Sequence, residues 1–199
     1  MLKALIVSGS HRAQSQSGRV AKTLCQHFLP AHFSSITIHD LSEMDLPFWD
    51  EAVWDDASPW DAKLERVRRD QREADALIFV CPEWNGMAPP RLKNYFLFGD
   101  TGSLEDKPAL IVAISAGVGG AYVVSELRSS GYKNTKLCYI PEHVIIRDVE
   151  NSLTTAPQFA GDPIAERCRY AIRKLARYAD ALSEVRSQGS EPGAYPYGM

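Results

Sequence analysis

Short apolar runs alternate with segments of helical periodicity along most of the chain. Continuous apolar runs are typical of strands buried on both faces of a sheet, and alternation of polar and apolar residues is typical of a half-buried strand. Such segments predict five strands, at Leu2–Val7, Ser35–Leu41, Ala76–Cys81, Ala109–Ile114 and Leu137–Ile146. Pro82 cannot donate a sheet hydrogen bond and is expected to end the third strand, and Pro141 is expected to break the fifth.

Apolar residues at helical spacing follow each of these strands. They predict helices over Val20–Leu29, Asp61–Asp75, a segment that starts at Pro89, Tyr122–Ser130 and Pro163–Val185. Strands and helices that alternate in this way predict an α/β protein with five parallel strands and helices on both faces of the sheet.

Length and composition limit the classes of protein that this chain belongs to. Its 199 residues fit one domain, which we place at 1–186, and a flexible tail rich in Gly, Pro and Ser at 187–199. A net charge of −3 gives no reason to expect a nucleic acid or an anionic membrane as a partner. No apolar stretch approaches the ~20 residues of a membrane span, and no signal peptide precedes the first strand, so we expect a cytoplasmic location. The four cysteines are widely spaced, which predicts neither a zinc site nor a redox dithiol.

The loop after the first strand has the composition of a phosphate-binding loop. It contains Ser10, Arg12, Ser15 and Ser17 and leads directly into a helix. Hydroxyls and loop N–H groups donate to phosphate oxygens, and the helix N-terminus adds a favourable positive potential. The loop is neither a Walker A nor a G-x-G-x-x-G fingerprint, and its serines favour a monophosphate. Alternatively, Ser15 or Ser17 caps the helix, which is compatible with phosphate binding.

Two further loops carry candidate binding residues. After the third strand, an acid, an aromatic ring, an amide and a glycine follow one another at Glu83–Gly86. They suit a tight loop whose N–H groups and indole face a ligand, or a turn that only links strand to helix. After the fourth strand, Ser115–Gly120 is rich in glycine, which lets the main chain approach a flat ring closely. The alternative is tight packing of helix against strand.

These three loops are expected to meet at one place. In the flavodoxin-like strand order 2-1-3-4-5, strands 1, 3 and 4 are adjacent, and their carboxyl ends share the crevice in which such sheets bind ligands. A long, acidic, aromatic-rich connection at 44–60 is expected to contact a neighbouring subunit or form a wall of the site, or else to cover its own core.

The three motifs together resemble the NAD(P)H-dependent FMN reductase family. They are Gly9-Ser10-x-Arg12-x-x-Ser15, Pro82-Glu83-Trp84-Asn85-Gly86 with Leu92-Lys93-Asn94, and Ser115-x-Gly117-x-Gly119-Gly120, and Asp45-Leu46-Pro47 matches a further recurrent element. The resemblance covers roughly residues 2–185. It implies a three-layer flavodoxin-like sandwich, with a five-stranded parallel sheet of order 2-1-3-4-5 and helices on both faces.

The resemblance also implies the cofactor and its site. FMN would be bound by Ser10, Arg12, Ser15, Gln16 and Ser17 at its phosphate, by Pro82, Glu83, Trp84, Asn85 and Gly86 beside the ribityl chain and ring edge, and by Ser115, Gly117, Gly119 and Gly120 at the polar edge of the ring. Two residues depart from the family pattern. Trp84 replaces the usual Tyr, which loses the phenolic hydroxyl but keeps the stacking surface, and Ser17 stands where Asn is common.

The implied activity is that of an FMN-dependent NAD(P)H oxidoreductase. A hydride would pass from NADPH or NADH to the flavin, and electrons would then pass to a small-molecule acceptor such as a quinone, a flavin, an azo dye or a metal oxyanion. No side chain is nominated as catalytic, no metal site is expected, and the family implies a homodimer or homotetramer. Two alternatives are a non-enzymatic FMN electron carrier, disfavoured by the mild net charge, and a regulatory protein that has lost flavin, disfavoured by intact Ser10, Arg12 and Ser15.

Overall fold

The computed structural model describes residues 1–55, 57–99, 102–153 and 162–189. Within these ranges the strands are β1 (Lys3–Ser8), β2 (Ser35–Asp40), β3 (Ala76–Pro82), β4 (Pro108–Ile114) and β5 (Cys138–Ile146). The helices are α1 (Gln16–His27), α2 (Asp61–Glu73), α3 (Pro90–Tyr95), α4 (Ala121–Ser129), α5 (Tyr132–Thr135) and α6 (Pro163–Ser187), with short 3₁₀ turns at Leu29–Ala31, Glu51–Trp54 and Phe96–Phe98. The tail predicted at 187–199 lies outside the described residues from 190 onward. In the described part of the chain, no helix is both long enough and apolar enough to cross a bilayer.

All five strands form one parallel sheet in the order β2-β1-β3-β4-β5. Ile6 in β1, for example, lies between Ile38 of β2 and Ile78 of β3. This confirms the predicted fold and strand order. The carboxyl ends of β1, β3 and β4 therefore lie side by side at the centre of one edge of the sheet.

Helices cover both faces of the sheet because alternate strand residues point to opposite sides. On one face Ile6 packs with Leu24 of α1 and Ile172 of α6. On the other face Leu5 packs with Leu64 of α2 and with side chains of α3 and α4. Every residue of β3 and β4 is buried, as their uninterrupted apolar runs predict. The two cores hold the strand ends, and with them the loops, in fixed positions.

Of the two prolines in the strand regions, Pro82 ends β3 as expected, whereas Pro141 does not break β5. Pro82 belongs to β3, where it lies opposite Ile114, and the next residue, Glu83, donates its N–H to the Ile114 carbonyl at 3.0 Å. The strand thus ends at Pro82, directly after the predicted last residue Cys81. Pro141 does not break β5 in two. It lies where the pairing of this edge strand with β4 becomes irregular, between the pairs Ala109–Tyr139 and Ile111–His143.

The aromatic connection at 44–60 covers the core of its own chain. Trp49 and Trp60 pack against the face that holds α2 and α3. Asn94 fixes the connection, because its amide donates to the Pro47 carbonyl at 2.7 Å and accepts from the Trp49 N–H at 2.8 Å. Trp54 remains 73% exposed and meets Trp49 edge to face. The alternative that this segment covers its own core therefore holds for part of it.

A buried polar chain links β2, α2 and α3. His39 is fully buried, with Nδ1 2.8 Å from the Tyr95 hydroxyl and Nε2 2.9 Å from Oδ2 of Asp70. A neutral imidazole satisfies both contacts, because Nε2–H donates to the carboxylate and Nδ1 accepts from the hydroxyl. Burial lowers the pKa of His39, although Asp70 opposes that shift. His39 is thus a structural residue.

Candidate functional site

A cavity of about 230 Å³ lies at the carboxyl ends of the central strands. The predicted site residues that line it are Ser10, Arg12, Ser15, Gln16, Ser17, Pro82, Glu83, Trp84 and Ser115. It is also lined by Gln14, Ile114, Ala116, Val149 and Glu150, whereas Asn85, Gly86, Gly117, Gly119 and Gly120 do not line it. The three predicted loops therefore meet, and each contributes part of the wall.

The loop after β1 turns sharply into α1. Its entry is held by Gly9, whose N–H donates to the Val80 carbonyl at 2.8 Å, and a Cβ at Gly9 would lie 2.9 Å from Leu92. The Ser10 hydroxyl accepts from the Arg12 N–H at 3.2 Å. Ser15 caps α1 by accepting from the Gly18 N–H at 3.0 Å, so the capping alternative is right for Ser15.

Ser17 does not cap the helix and is the most informative residue of this loop. It is 1% exposed and lines the cavity, yet its hydroxyl makes no hydrogen bond to any residue that the structure describes. A buried hydroxyl without a partner costs about 1–3 kcal/mol. A phosphate oxygen in the cavity would accept that hydrogen bond close to the amino end of α1, where negative charge is favoured. The exposed guanidinium of Arg12, also at the cavity, adds a second donor group.

The loop after β3 is a tight turn. Trp84 and Met87 exchange two main-chain hydrogen bonds, of 3.0 and 2.9 Å. Asn85 and Gly86 between them have φ angles of 50° and 75°, which is the type I′ geometry that Asn-Gly favours. Asn85 and Gly86 therefore form a tight turn, as both interpretations of this loop require. Trp84 nevertheless lines the cavity, and its ring meets that of His11 edge to face with centroids 4.9 Å apart.

The glycines after β4 serve packing more than access. Gly120 has φ 104°, and a Cβ there would lie 2.6 Å from Ile145. A Cβ at Gly119 would lie 2.5 Å from Oε1 of Glu83. At Gly117 a Cβ would meet nothing within 4 Å, and its N–H donates to the Ser115 hydroxyl at 3.2 Å. The packing alternative therefore explains Gly119 and Gly120, and only the start of this loop reaches the cavity.

The wall formed by Val149 and Glu150 was not predicted. These residues follow β5, and Arg19 of α1 fixes them by donating to the carbonyls of Val149, Ser152 and Leu153. A signal was present in the topology, since the end of β5 reaches the same edge of the sheet as the other strands. The arginine contact itself joins residues about 130 positions apart and had no sequence signal.

A second pocket, of about 260 Å³, lies beside the first. Its lining residues are His11, Leu46, Pro47, Phe48, Pro90, Arg91 and Asn94. The Arg91 side chain is fixed beside this pocket because it donates to the Leu41 carbonyl at 3.0 Å. Because the His11 ring also contacts Trp84, the loop after β1 separates the two pockets.

The sequence relationships agree with this architecture. Residues 2–151 match the family model described as NADPH-dependent FMN reductase. The chain belongs to this family. A quinone reductase of Pseudomonas putida KT2440 is 32% identical over 121 residues, which are 59% of this chain and 62% of that protein. The match thus covers less than two thirds of that reductase. An Escherichia coli K12 quinone reductase is 32% identical over 131 residues, and an NAD(P)H-dependent FMN reductase of Pseudomonas aeruginosa is 26% identical over 183 residues, or 87% of this chain and 93% of that one.

Several solved structures share the fold. An oxidoreductase from Corynebacterium diphtheriae superimposes with a TM-score of 0.71 at 18% identity, covering 91% of this chain and 98% of its own. The NAD(P)H:(acceptor) oxidoreductase FerB of Paracoccus denitrificans has a TM-score of 0.57 at 19% identity, covering 92% and 98%. At this level of identity the likeness concerns the fold alone.

Proposed function

We propose that the chain binds FMN in the 230 Å³ cavity and is an NAD(P)H-dependent oxidoreductase that reduces a small-molecule acceptor. The observation that carries the proposal is the buried Ser17 hydroxyl, which lines the cavity and makes no hydrogen bond within the described residues. The hydroxyl fits a phosphate at the amino end of α1. Bound FMN would supply the redox chemistry, accepting a hydride from the nicotinamide and giving electrons to the acceptor.

The chain's own residues would bind and orient the cofactor. Ser10, Ser15 and Ser17 place hydroxyls beside the N-terminus of α1, and Arg12 adds a positive charge for the phosphate. Trp84 also lines the cavity and offers it an aromatic surface. Because the flavin carries the reaction, no side chain is assigned as an acid or a base. Gln16, Pro82 and Glu83 complete the proposed site, and the turn at Asn85–Gly86 supports it from behind.

The acceptor class and the assembly are part of the proposal. Relatives named quinone reductase and a structural neighbour named azoreductase favour a quinone or an azo compound as acceptor. A homodimer or homotetramer is supported by the exposed aromatic rings of Phe48 (82%) and Trp54 (73%), which are suited to burial against another subunit. A cytoplasmic location is also part of the proposal. NADPH and NADH both remain candidate donors.

An absorbance titration tests the proposal directly. Purified protein incubated with FMN and then desalted should keep oxidised-flavin bands, and these should bleach when NADPH or NADH is added without oxygen. Ser17→Ala should weaken FMN binding about tenfold, since one hydrogen bond to a charged group is lost. Ser183→Ala on α6, far from the cavity, is the matched control. Protein that retains no flavin would refute the site, and flavin that stays oxidised with both nicotinamides would favour an electron carrier.

A further inference from the structure

One carboxylate joins two loops of the cavity. Oε2 of Glu83 accepts from the Gly120 N–H at 2.8 Å and from the Tyr122 N–H at 3.0 Å. These N–H groups belong to the amino end of α4, where the helix itself offers no acceptor. Gly120 is the residue before the helix and carries no capping side chain. Glu83, 37 residues earlier in the chain, takes that role.

The contact depends on a close approach of the glycine loop. A Cβ at Gly119 would lie 2.5 Å from Oε1 of Glu83, so a larger residue there would displace the carboxylate from its present position. The main chain of Glu83 is also fixed, because its N–H donates to the Ile114 carbonyl at the end of β4. Glu83 is therefore held at both its main chain and its side chain, and it lines the cavity.

A second carboxylate makes the reverse connection. Glu126 in α4 accepts from the Ala88 N–H at 2.6 Å and from Lys93 at 2.7 Å. Glu83, which precedes the turn, thus contacts the amino end of α4, and Glu126 of α4 contacts the segment that follows the turn. The two residues differ in two respects: Glu83 lines the cavity and Glu126 does not, and Glu126 is paired with the ammonium of Lys93.

We propose that Glu83 is a positioning residue of the flavin site: it locks the glycine loop and α4 to the Trp84 turn, and its charge makes reduction of bound FMN less favourable. The inference rests on the proposed function. A carboxylate carried by a residue that lines the cavity opposes the negative charge that reduction adds there, and it also offsets the positive end of α4. Both effects disappear when the charge is removed, and both then favour reduction.

Two substitutions at Glu83 separate the charge from the hydrogen bonds. Glu83→Gln keeps an oxygen that can accept from Gly120 and Tyr122 but removes the charge. We expect reduced FMN to gain about tenfold in affinity relative to oxidised FMN, which raises the two-electron midpoint potential by about 30 mV. Glu83→Ala removes the acceptor, and we expect the amides of the 119–124 segment in FMN-free protein to exchange hydrogen about tenfold faster. Exchange in Glu83→Gln should stay within about twofold of the parent protein.

Glu126→Gln is the matched control, because it removes an equal charge from the same pair of elements outside the cavity. Its midpoint potential should equal that of the parent protein. The positioning role is wrong if Glu83→Ala leaves the exchange of the 119–124 amides unchanged. The electrostatic role is wrong if Glu83→Gln leaves the potential unchanged or if Glu126→Gln raises it equally. Failure of the parent protein to bind FMN would overturn the proposed function and the electrostatic role, while exchange in the FMN-free protein would still decide the positioning role.

Discussion

Replacement of His39 by Leu tests whether the buried polar chain stabilises the fold. The substitution removes the contacts of 2.8 Å to Tyr95 and 2.9 Å to Asp70. Each hydrogen bond contributes about 1 kcal/mol net, and the Tyr95 hydroxyl, left in a fully buried position, adds a penalty of about 1–3 kcal/mol. The apolar surface of Leu offsets part of this loss. We expect His39→Leu to lower the free energy of unfolding by about 2–3 kcal/mol at pH 7.5.

The same variant has a pH signature. Burial lowers the pKa of His39 in the folded protein below its value of 6.5 in the unfolded chain. The unfolded chain therefore binds a proton first as the pH falls, so the stability that neutral His39 contributes is complete above pH 6.5 and is lost below it. His143, whose pKa burial also lowers, adds to the same decline. Leu at position 39 should remove the His39 share and flatten the decline below pH 6.5.

Urea unfolding at pH 7.5, 6.5 and 5.5, followed by tryptophan fluorescence, measures both effects. His32→Leu is the matched control, because His32 is exposed and its replacement should change the free energy of unfolding by less than about 0.5 kcal/mol. Tyr95→Phe combined with His39→Leu should cost less than the two single changes together, since both remove the same hydrogen bond. A His39→Leu protein as stable as the parent at pH 7.5, with the parent's pH dependence, would refute the reasoning.

Two further substitutions test the loops around the cavity. Gly120→Ala should lower the free energy of unfolding by about 2–4 kcal/mol in urea titrations, because φ is 104° and the new Cβ would lie 2.6 Å from Ile145. The control is Gly117→Ala, whose Cβ meets nothing within 4 Å and which should change the free energy of unfolding by less than about 0.5 kcal/mol. Equal losses in the two variants would contradict the packing argument. Arg19→Met should speed amide hydrogen exchange in the 149–153 segment about tenfold, because three carbonyls lose their donor. The control is Arg177→Met on the exposed side of α6, which should leave this exchange unchanged. Unchanged exchange in Arg19→Met would show that another contact holds this wall.

The strand order could be predicted from the sequence because its signals are local and mutually consistent. Uninterrupted apolar runs identified β3 and β4 as the central, doubly buried strands, and the polar loops after β1, β3 and β4 then had to meet at one edge. The dipeptide Asn85–Gly86 is itself typical of the type I′ turn that it forms. These are properties of residues close together in the chain, where period and turn chemistry decide the conformation.

What could not be predicted depends on the direction of single side chains. Nothing in the residues near Glu83 indicates that its carboxylate caps a helix that begins at Ala121. The same holds for Arg19, whose partners at the end of β5 follow from packing in three dimensions. Pro141 was misjudged because an edge strand can accommodate a proline as a local irregularity in its pairing. Trp49 and Trp60 were ambiguous because an aromatic side chain suits a core and an interface equally well.

The amino end of α1 fixes the directions of three side chains that have different roles. Ser15 caps the helix, Ser17 turns its hydroxyl to the cavity, and Arg19 reaches the opposite wall, all within five consecutive residues. Each residue of a helix advances the side-chain direction by about 100°. A one-residue insertion or deletion between Ser15 and Arg19 would therefore turn the hydroxyl and the guanidinium away from their targets together. We therefore expect insertions and deletions in this part of the chain to be tolerated best in the exposed stretch before the helix, at 11–14.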